Sequence, residues 1–274
     1  MCIRDSGKGI TMKKFPLVSW IILMLGFLYF FVPLIGTLDF SLRLIKDQIT
    51  LQAYINVLTT PRFQNTFTYS FTMALLTIVV AIVLVAPTAY WVHLKLPYLR
   101  PFIEFITLLT FVVPAIVLVF GLIRVYARPP LSILESDLGA NFLLVMGYVA
   151  LALATMYRTI DNGLRAIDVR TLTEAAQSLG AGWRTILLQV IFPNLRVALL
   201  SGAFVTFALV IGEFTIATFL ARPAFGPYMA NIGQTRPYES TALTIISLSL
   251  TWACIGAIQL LGRGARGQFA GTGQ

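Results

Sequence analysis

Residues capable of chemistry are few in this chain, and the first question is whether any of them can act together. His93 is the single histidine, so a histidine-built metal cluster is impossible. Cys2 and Cys254 lie far apart and lack CxxC spacing, which supports neither a disulfide framework nor a zinc site. The stretch GRGARG at 262–267 satisfies GxGxxG literally. It follows an apolar run at the C-terminal end, however, with no strand before it and no room for a βαβ unit after it, so a flexible basic tail is the better reading. Gly7-Lys8 has no partner glycine at the spacing of a GxxxxGK[ST] phosphate loop. No cluster of histidines, carboxylates or nucleophile–base pairs is present, so no catalytic residue is assigned and a membrane-embedded enzyme is disfavoured.

One carboxylate stands apart. Glu213 lies inside the apolar run VIGEFTIATF, where an ionisable group costs about 2–3 kcal/mol or more to insert and is functional by default. Two roles stay open for it: a place on a translocation path, facing a cationic solute, or a hydrogen bond between helices. Glu104, Arg124 and His93 sit closer to the ends of apolar runs and can reach an interface.

The elements that must position these residues follow from hydropathy. The chain has 274 residues, of which 58% are hydrophobic and only 11% charged, far from the soluble norm of about a quarter charged. Apolar runs at 15–38, 67–92, 102–125, 139–157, 197–220 and 241–261 each approach the roughly 20 residues that cross a bilayer. The first is too long for a signal-peptide core and reads as a signal anchor. Residues 1–11 are patternless, and Met12-Lys13-Lys14 looks like a natural start, so 1–11 reads as a non-native or disordered leader. Residues 12–264 then form a single membrane domain and 265–274 a cytoplasmic tail. The net charge of +9 resides in short loops, where the positive-inside bias explains it without nucleic acid. With the N-terminus inside, thirteen of the 20 Lys and Arg residues face the cytoplasm, which puts both termini there. The outer segment 223–240, rich in glycine and proline, reads as a solvated loop, with a re-entrant segment as the alternative.

The segment between the fourth and fifth runs, about 158–196, has its own helical grammar. Thr171 and Glu174 are spaced as a capping box, and Leu172, Ala175, Ala176 and Leu179 repeat on one helical face. Gly180 stands where a left-handed helix-terminating residue is needed. Trp183, Ile186, Leu187, Val190 and Ile191 define a second face, and Pro193 closes the run. Two such short amphipathic helices suit either a docking element or a connector on pattern alone.

Residues 174–193 add a motif. Glu174-Ala175-Ala176, three residues, Gly180, nine residues, then Val190-Ile191-Phe192-Pro193 resembles the EAA loop of ABC importer permeases, whose pattern is EAA-x3-G-x9-I-x-L-P. Val190 and Phe192 replace the usual Ile and Leu. The resemblance implies an all-α integral membrane protein of the MetI-like permease fold, with six transmembrane helices and a cytoplasmic two-helix coupling loop between the fourth and fifth. It implies that Glu174, Ala175, Ala176, Gly180 and Pro193 belong to the site that docks on a cytoplasmic ABC ATPase. It also implies a second, different permease chain, a periplasmic or surface solute-binding protein, and location in the bacterial inner membrane. No cofactor belongs to this chain, because ATP–Mg is bound by the partner ATPase, and no metal site is expected.

Within that family, FALVIGEFTIATFL is similar to the spermidine/putrescine-type permeases, and a lone intramembrane carboxylate at Glu213 suits a polyamine. Relatives carrying phosphonate, iron or thiamine share this stretch. The alternative from a different class is an ion-gradient-driven secondary transporter or channel, which predicts paired broken helices and several buried ionisable groups.

Overall fold

The computed structural model describes residues 17–45 and 48–269. The leader expectation for 1–11 lies outside them. Among the described residues every regular element is helical, as a backbone in hydrocarbon requires when no water is present to satisfy its amides. Helix α1 spans Leu17–Ser41, α2 Gln52–Thr59 and α3 Pro61–Leu94. Next come α4, Arg100–Val112, and α5, Ala115–Tyr126. Helix α6 spans Asp137–Arg165 and α7 Val169–Ser178. Helix α8 is Trp183–Asn194 and α9 Arg196–Gly212. The short α10, Thr215–Phe219, then leads to α11, Phe225–Thr235, and α12, Pro237–Phe269.

Among the described residues, four helices are long and apolar enough to cross a membrane, or up to six if each of two bent pairs is one span. The run at 102–125 is one of these pairs: α4 and α5 meet at 97° across Val113-Pro114, where proline lacks the amide that a continuous helix needs. The run at 197–220 is also interrupted, at Glu213-Phe214. Helix α6 continues past the predicted inner boundary at Arg158 and ends at Arg165, which shortens the loop after it. The segment 223–240 is not a solvated loop. It holds α11, seated by the buried Phe225, Gly226 and Tyr228, whose apolar burial outweighs the helix-breaking tendency of the nearby glycines and prolines. The backbone of the predicted tail is likewise helical through Phe269.

The core is the mutual packing of α3, α6 and α9. With no hydrophobic drive between helices in lipid, close packing depends on small residues. At the α6–α9 crossing, a Cβ placed on Gly163 would lie 2.5 Å from the Ala198 Cβ, and one on Gly202 would lie 2.6 Å from the Met156 Sδ. Several buried hydroxyls bond within their own helix, as where Thr77 donates to the Met73 carbonyl at 2.8 Å. Helix α1 contrasts with the core, because its most apolar stretch has no buried residue and it packs chiefly along α12. At the end of the bundle away from α7 and α8, Arg222 donates to Asp137 at 2.9 Å and ties the α10–α11 turn to the start of α6.

Gly163→Ala should force α6 and α9 apart, because Ala198 has no rotamer with which to yield. The expected loss is about 1–3 kcal/mol, read as a lower thermal midpoint in detergent. Gly26→Ala, with nothing within 4 Å of the added carbon, serves as the neutral control.

Candidate functional site: the two-helix loop and the break at Glu213

Helix α7 starts three residues earlier than the capping-box reading placed it. Its cap is Asp168, whose carboxylate accepts the Thr171 amide at 3.1 Å and the Thr171 hydroxyl at 2.7 Å. Thr171 is therefore a donor inside the helix. Glu174 accepts from Arg170 at 2.8 Å instead of reaching back to the helix start, an exposed pair that contributes little stability. Asp168 carried the signal for this correction, since Asp is among the best N-cap residues.

The buried face of α7 is also displaced. Val169, Thr173 and Ala176 are buried, with Leu172 half-buried, while Ala175 is exposed and Leu179 is 89% exposed. Apolar periodicity missed this because a threonine lies at the centre of the face. The Thr173 hydroxyl donates to the Val169 carbonyl at 2.7 Å, which leaves the buried Tyr90 hydroxyl of α3 to donate to it at 2.9 Å. Of the EAA triplet, Glu174 and Ala175 thus face outward and Ala176 faces the bundle.

Gly180 occupies its expected place. Its φ is +79°, its amide bonds to the Gln177 carbonyl at 2.9 Å, and the Ala181 amide bonds to the Ala176 carbonyl at 3.0 Å. This is the paired closure of a helix by a left-handed residue. Nothing lies within 4 Å of a Cβ there, so the requirement for glycine is torsional.

Helix α8 winds as a π-helix over Ile186–Ile191, with the Phe192 amide bonding five residues back to the Leu187 carbonyl. The widened turn places Ile186 and Ile191, five apart, both fully buried. Pro193 does not end the helix, which runs on to Asn194 before α9 leaves at 76°. The π turn lets the chain pass proline's missing amide without a break. Trp183, at the first position of α8, packs on Trp91 in a tilted pair, interplanar angle 37° and centroids 5.0 Å apart, and Lys95 Nζ lies 4.7 Å from the Trp183 ring and 5.1 Å from the Trp91 ring. In the sequence Lys95 stands out only as a loop charge.

Beside the loop, α4 is tied to α6 by charge. Arg100 reaches Asp161 at 2.9 Å and Glu104 at 3.0 Å, and Arg165 reaches Asp161 at 2.8 Å. Glu104 is thus at a helix end, as expected, and is paired.

Glu213 lies away from the loop, at the break between α9 and α10. It is 9% exposed, and its carboxylate accepts the Ile216 amide at 2.9 and 3.0 Å and the Ala217 amide at 3.3 Å. A carboxylate on the amides of a helix start satisfies groups that lipid would leave bare. The buried Tyr148 phenol stands beside it. Gly226 of α11 presses against the Glu213 carbonyl so closely that no side chain fits there.

Long apolar helices around a three-helix core, with two short amphipathic helices folded across one end, define a multi-pass membrane protein of permease type. The chain belongs to the family of binding-protein-dependent transport system inner membrane components, the permeases of ABC importers, and matches it over residues 66–266. It is 27% identical to the spermidine/putrescine transport system permease protein PotC of Escherichia coli (strain K12) over 170 residues, 60% of this chain and 61% of PotC. The match therefore spans about three fifths of that relative's length. The methionine import system permease protein MetP of Bacillus subtilis (strain 168) is 30% identical over 107 residues, 38% of this chain and 46% of MetP. Among solved structures, a bacterial ABC transporter involved in the import of the acidic polysaccharide alginate superposes with a TM-score of 0.64 at 14% identity, covering 88% of this chain and 94% of that one. An amino acid ABC transporter with histidines gives 0.52 at 18% identity, over 77% and 97%. At these identities the structures speak for the fold.

The Thr171 donors hold the Asp168 carboxyl below the ordinary value of 3.8. A depressed folded-state value means that the cap's contribution is present above the unfolded value and is lost as pH falls through the lower folded one. Asp168→Ala should therefore speed amide exchange over residues 169–173 at neutral pH, while Asp168→Asn, which keeps an acceptor, should not. Wild type should show the same acceleration only in acid, below the ordinary carboxylate value.

Proposed function

We propose that this chain is the permease subunit of an ATP-driven, binding-protein-dependent importer of the bacterial cytoplasmic membrane. It crosses six times, with α4 and α5 together as one span and α9 without α8 as another, and both termini are cytoplasmic. The α7–α8 loop is the coupling element for a separate ABC ATPase that binds ATP–Mg; Glu174, Ala175, Gly180 and Pro193 set its docking surface, and Ala176 seats α7 on the bundle behind it. The observation that carries this reading is the reversal at Gly180, φ +79°, between two amphipathic helices, with Leu179 89% exposed at its tip. A large apolar side chain held in the open at a turn suits a partner's groove. Closure of the ATPase pair draws the loops together, and the solute crosses because the two states of the cavity bind it differently. A second permease chain and a solute-binding protein complete the assembly.

The proposed solute is a polyamine such as spermidine or putrescine. Support comes from the likeness to PotC and from the buried Glu213 carboxylate. A cation reaching Glu213 would compete with the start of α10 for that carboxylate. Glu213→Gln should therefore change radiolabelled spermidine uptake several-fold while leaving the subunits assembled. Unchanged uptake of the solute the complex carries would remove Glu213 from the pathway.

The ion-gradient-driven reading draws on one observation, the bent helix pairs at 97° and 76°, since discontinuous helices serve such transporters. Co-purification separates the two. Candidate ATPase subunits should come down with the wild-type chain from detergent-solubilised membranes and be lost with Gly180→Arg at equal membrane insertion. Retention by neither form would favour the gradient-driven transporter.

A further inference from the structure

Both loop helices are fastened to the same short stretch of α3, and one fastening is a charge held by two aromatic rings. Tyr90 holds α7 through its buried hydrogen bond to Thr173. The next residue, Trp91, holds α8 through its tilted ring contact with Trp183. Lys95, one turn further on, closes its helix through a 2.9 Å bond from its amide to the Trp91 carbonyl and places Nζ within 5.1 Å of both ring centres. A cation shared by two tryptophan faces resists both sliding and separation of the rings. Trp183 is the first residue of α8, directly after the glycine turn, so any displacement of the loop tip acts on it first.

Helix α3 carries the connection across the bundle. It has 34 residues, about 50 Å of helix. About 30 Å along it from Tyr90, Ser70 accepts the Phe225 amide of α11 at 2.8 Å, and Phe67 meets Phe225 edge to face at 5.9 Å. Phe225 begins the helix that presses Gly226 onto the Glu213 break.

We propose that Lys95, clasped between Trp91 and Trp183, is a positioning residue that passes movement of the two-helix loop into α3, and through α3 to the α11 segment at the opposite end. This rests on the reading of the loop as the ATPase-coupling element. Trp183 and Trp91 act with it. Glu213 and α11 are reached indirectly, through the hydrogen bond between Ser70 and Phe225.

The test uses the full complex of this chain with its ATPase subunits, with Cys2 and Cys254 replaced by serine and the exposed Ala230 of α11 replaced by cysteine (Ala230→Cys) as reporter. Two quantities are read: the ATPase retained on purification, and the change in N-ethylmaleimide labelling of the reporter on adding ATP and vanadate. Lys95→Ala and Trp183→Ala should retain the ATPase but shrink the nucleotide-dependent change about fivefold, as expected when one cation–π interaction is removed. Lys95→Arg, which keeps a cation over the rings, should restore it, as a simple packing role would not require. Persistence of the full change in both alanine variants overturns the proposal. So does a wild-type reporter that ignores nucleotide while the ATPase stays bound, because Pro87 within α3 would then absorb the motion. Loss of the ATPase with Lys95→Ala alone would make Lys95 a docking residue instead. No ATPase on the wild-type complex refutes the importer reading itself, a distinct outcome.

Discussion

The constraint on which the rest of this structure depends is that every amide in hydrocarbon needs a partner. It makes the described regular structure wholly helical, and it makes each interruption expensive. The break between α9 and α10 is possible because Glu213 supplies a carboxylate to the backbone amides there. The bend after α4 falls at Pro114, where an amide is already missing. The π turn in α8 keeps the hydrogen bonding going as the chain approaches Pro193. Each irregularity therefore has its own local compensation, and these sites are where the chain changes direction.

Those changes of direction are also where the elements meet. The loop helices rest on the end of α3, the break at Glu213 lies under α11, and α3 touches both. A core of α3, α6 and α9 packed through Gly163 and Gly202 gives this linkage a stiff support. A motor acting on one end of such a body has a continuous path of packed side chains to the other.

What the sequence made legible was whatever is encoded locally. Hydropathy located the apolar runs, and the offsets of Gly180 and Pro193 located the loop. Gly180 took the left-handed conformation expected of it. The buried face of α7 was misplaced because Thr173 is buried through hydrogen bonds to Val169 and Tyr90, and a polar residue in an apolar face breaks the period that reveals it. Asp168 was hidden by a plausible Thr171–Glu174 pair that fits the same motif three residues later. Helix α11 was masked by its glycine and proline content, which local propensity counts against a helix while the packing of Phe225 and Tyr228 favours one. The Trp91–Lys95–Trp183 cluster joins residues from distant parts of the chain, and no periodicity records such a meeting.

The turn at Gly180 bears on how such a protein can diverge. Its geometry is specified by a dihedral angle and by bonds among backbone atoms, with open space where a side chain would stand. A requirement of that kind is indifferent to the chemistry of its neighbours. The side chains around it can therefore be exchanged without cost to the turn, so long as position 180 stays glycine.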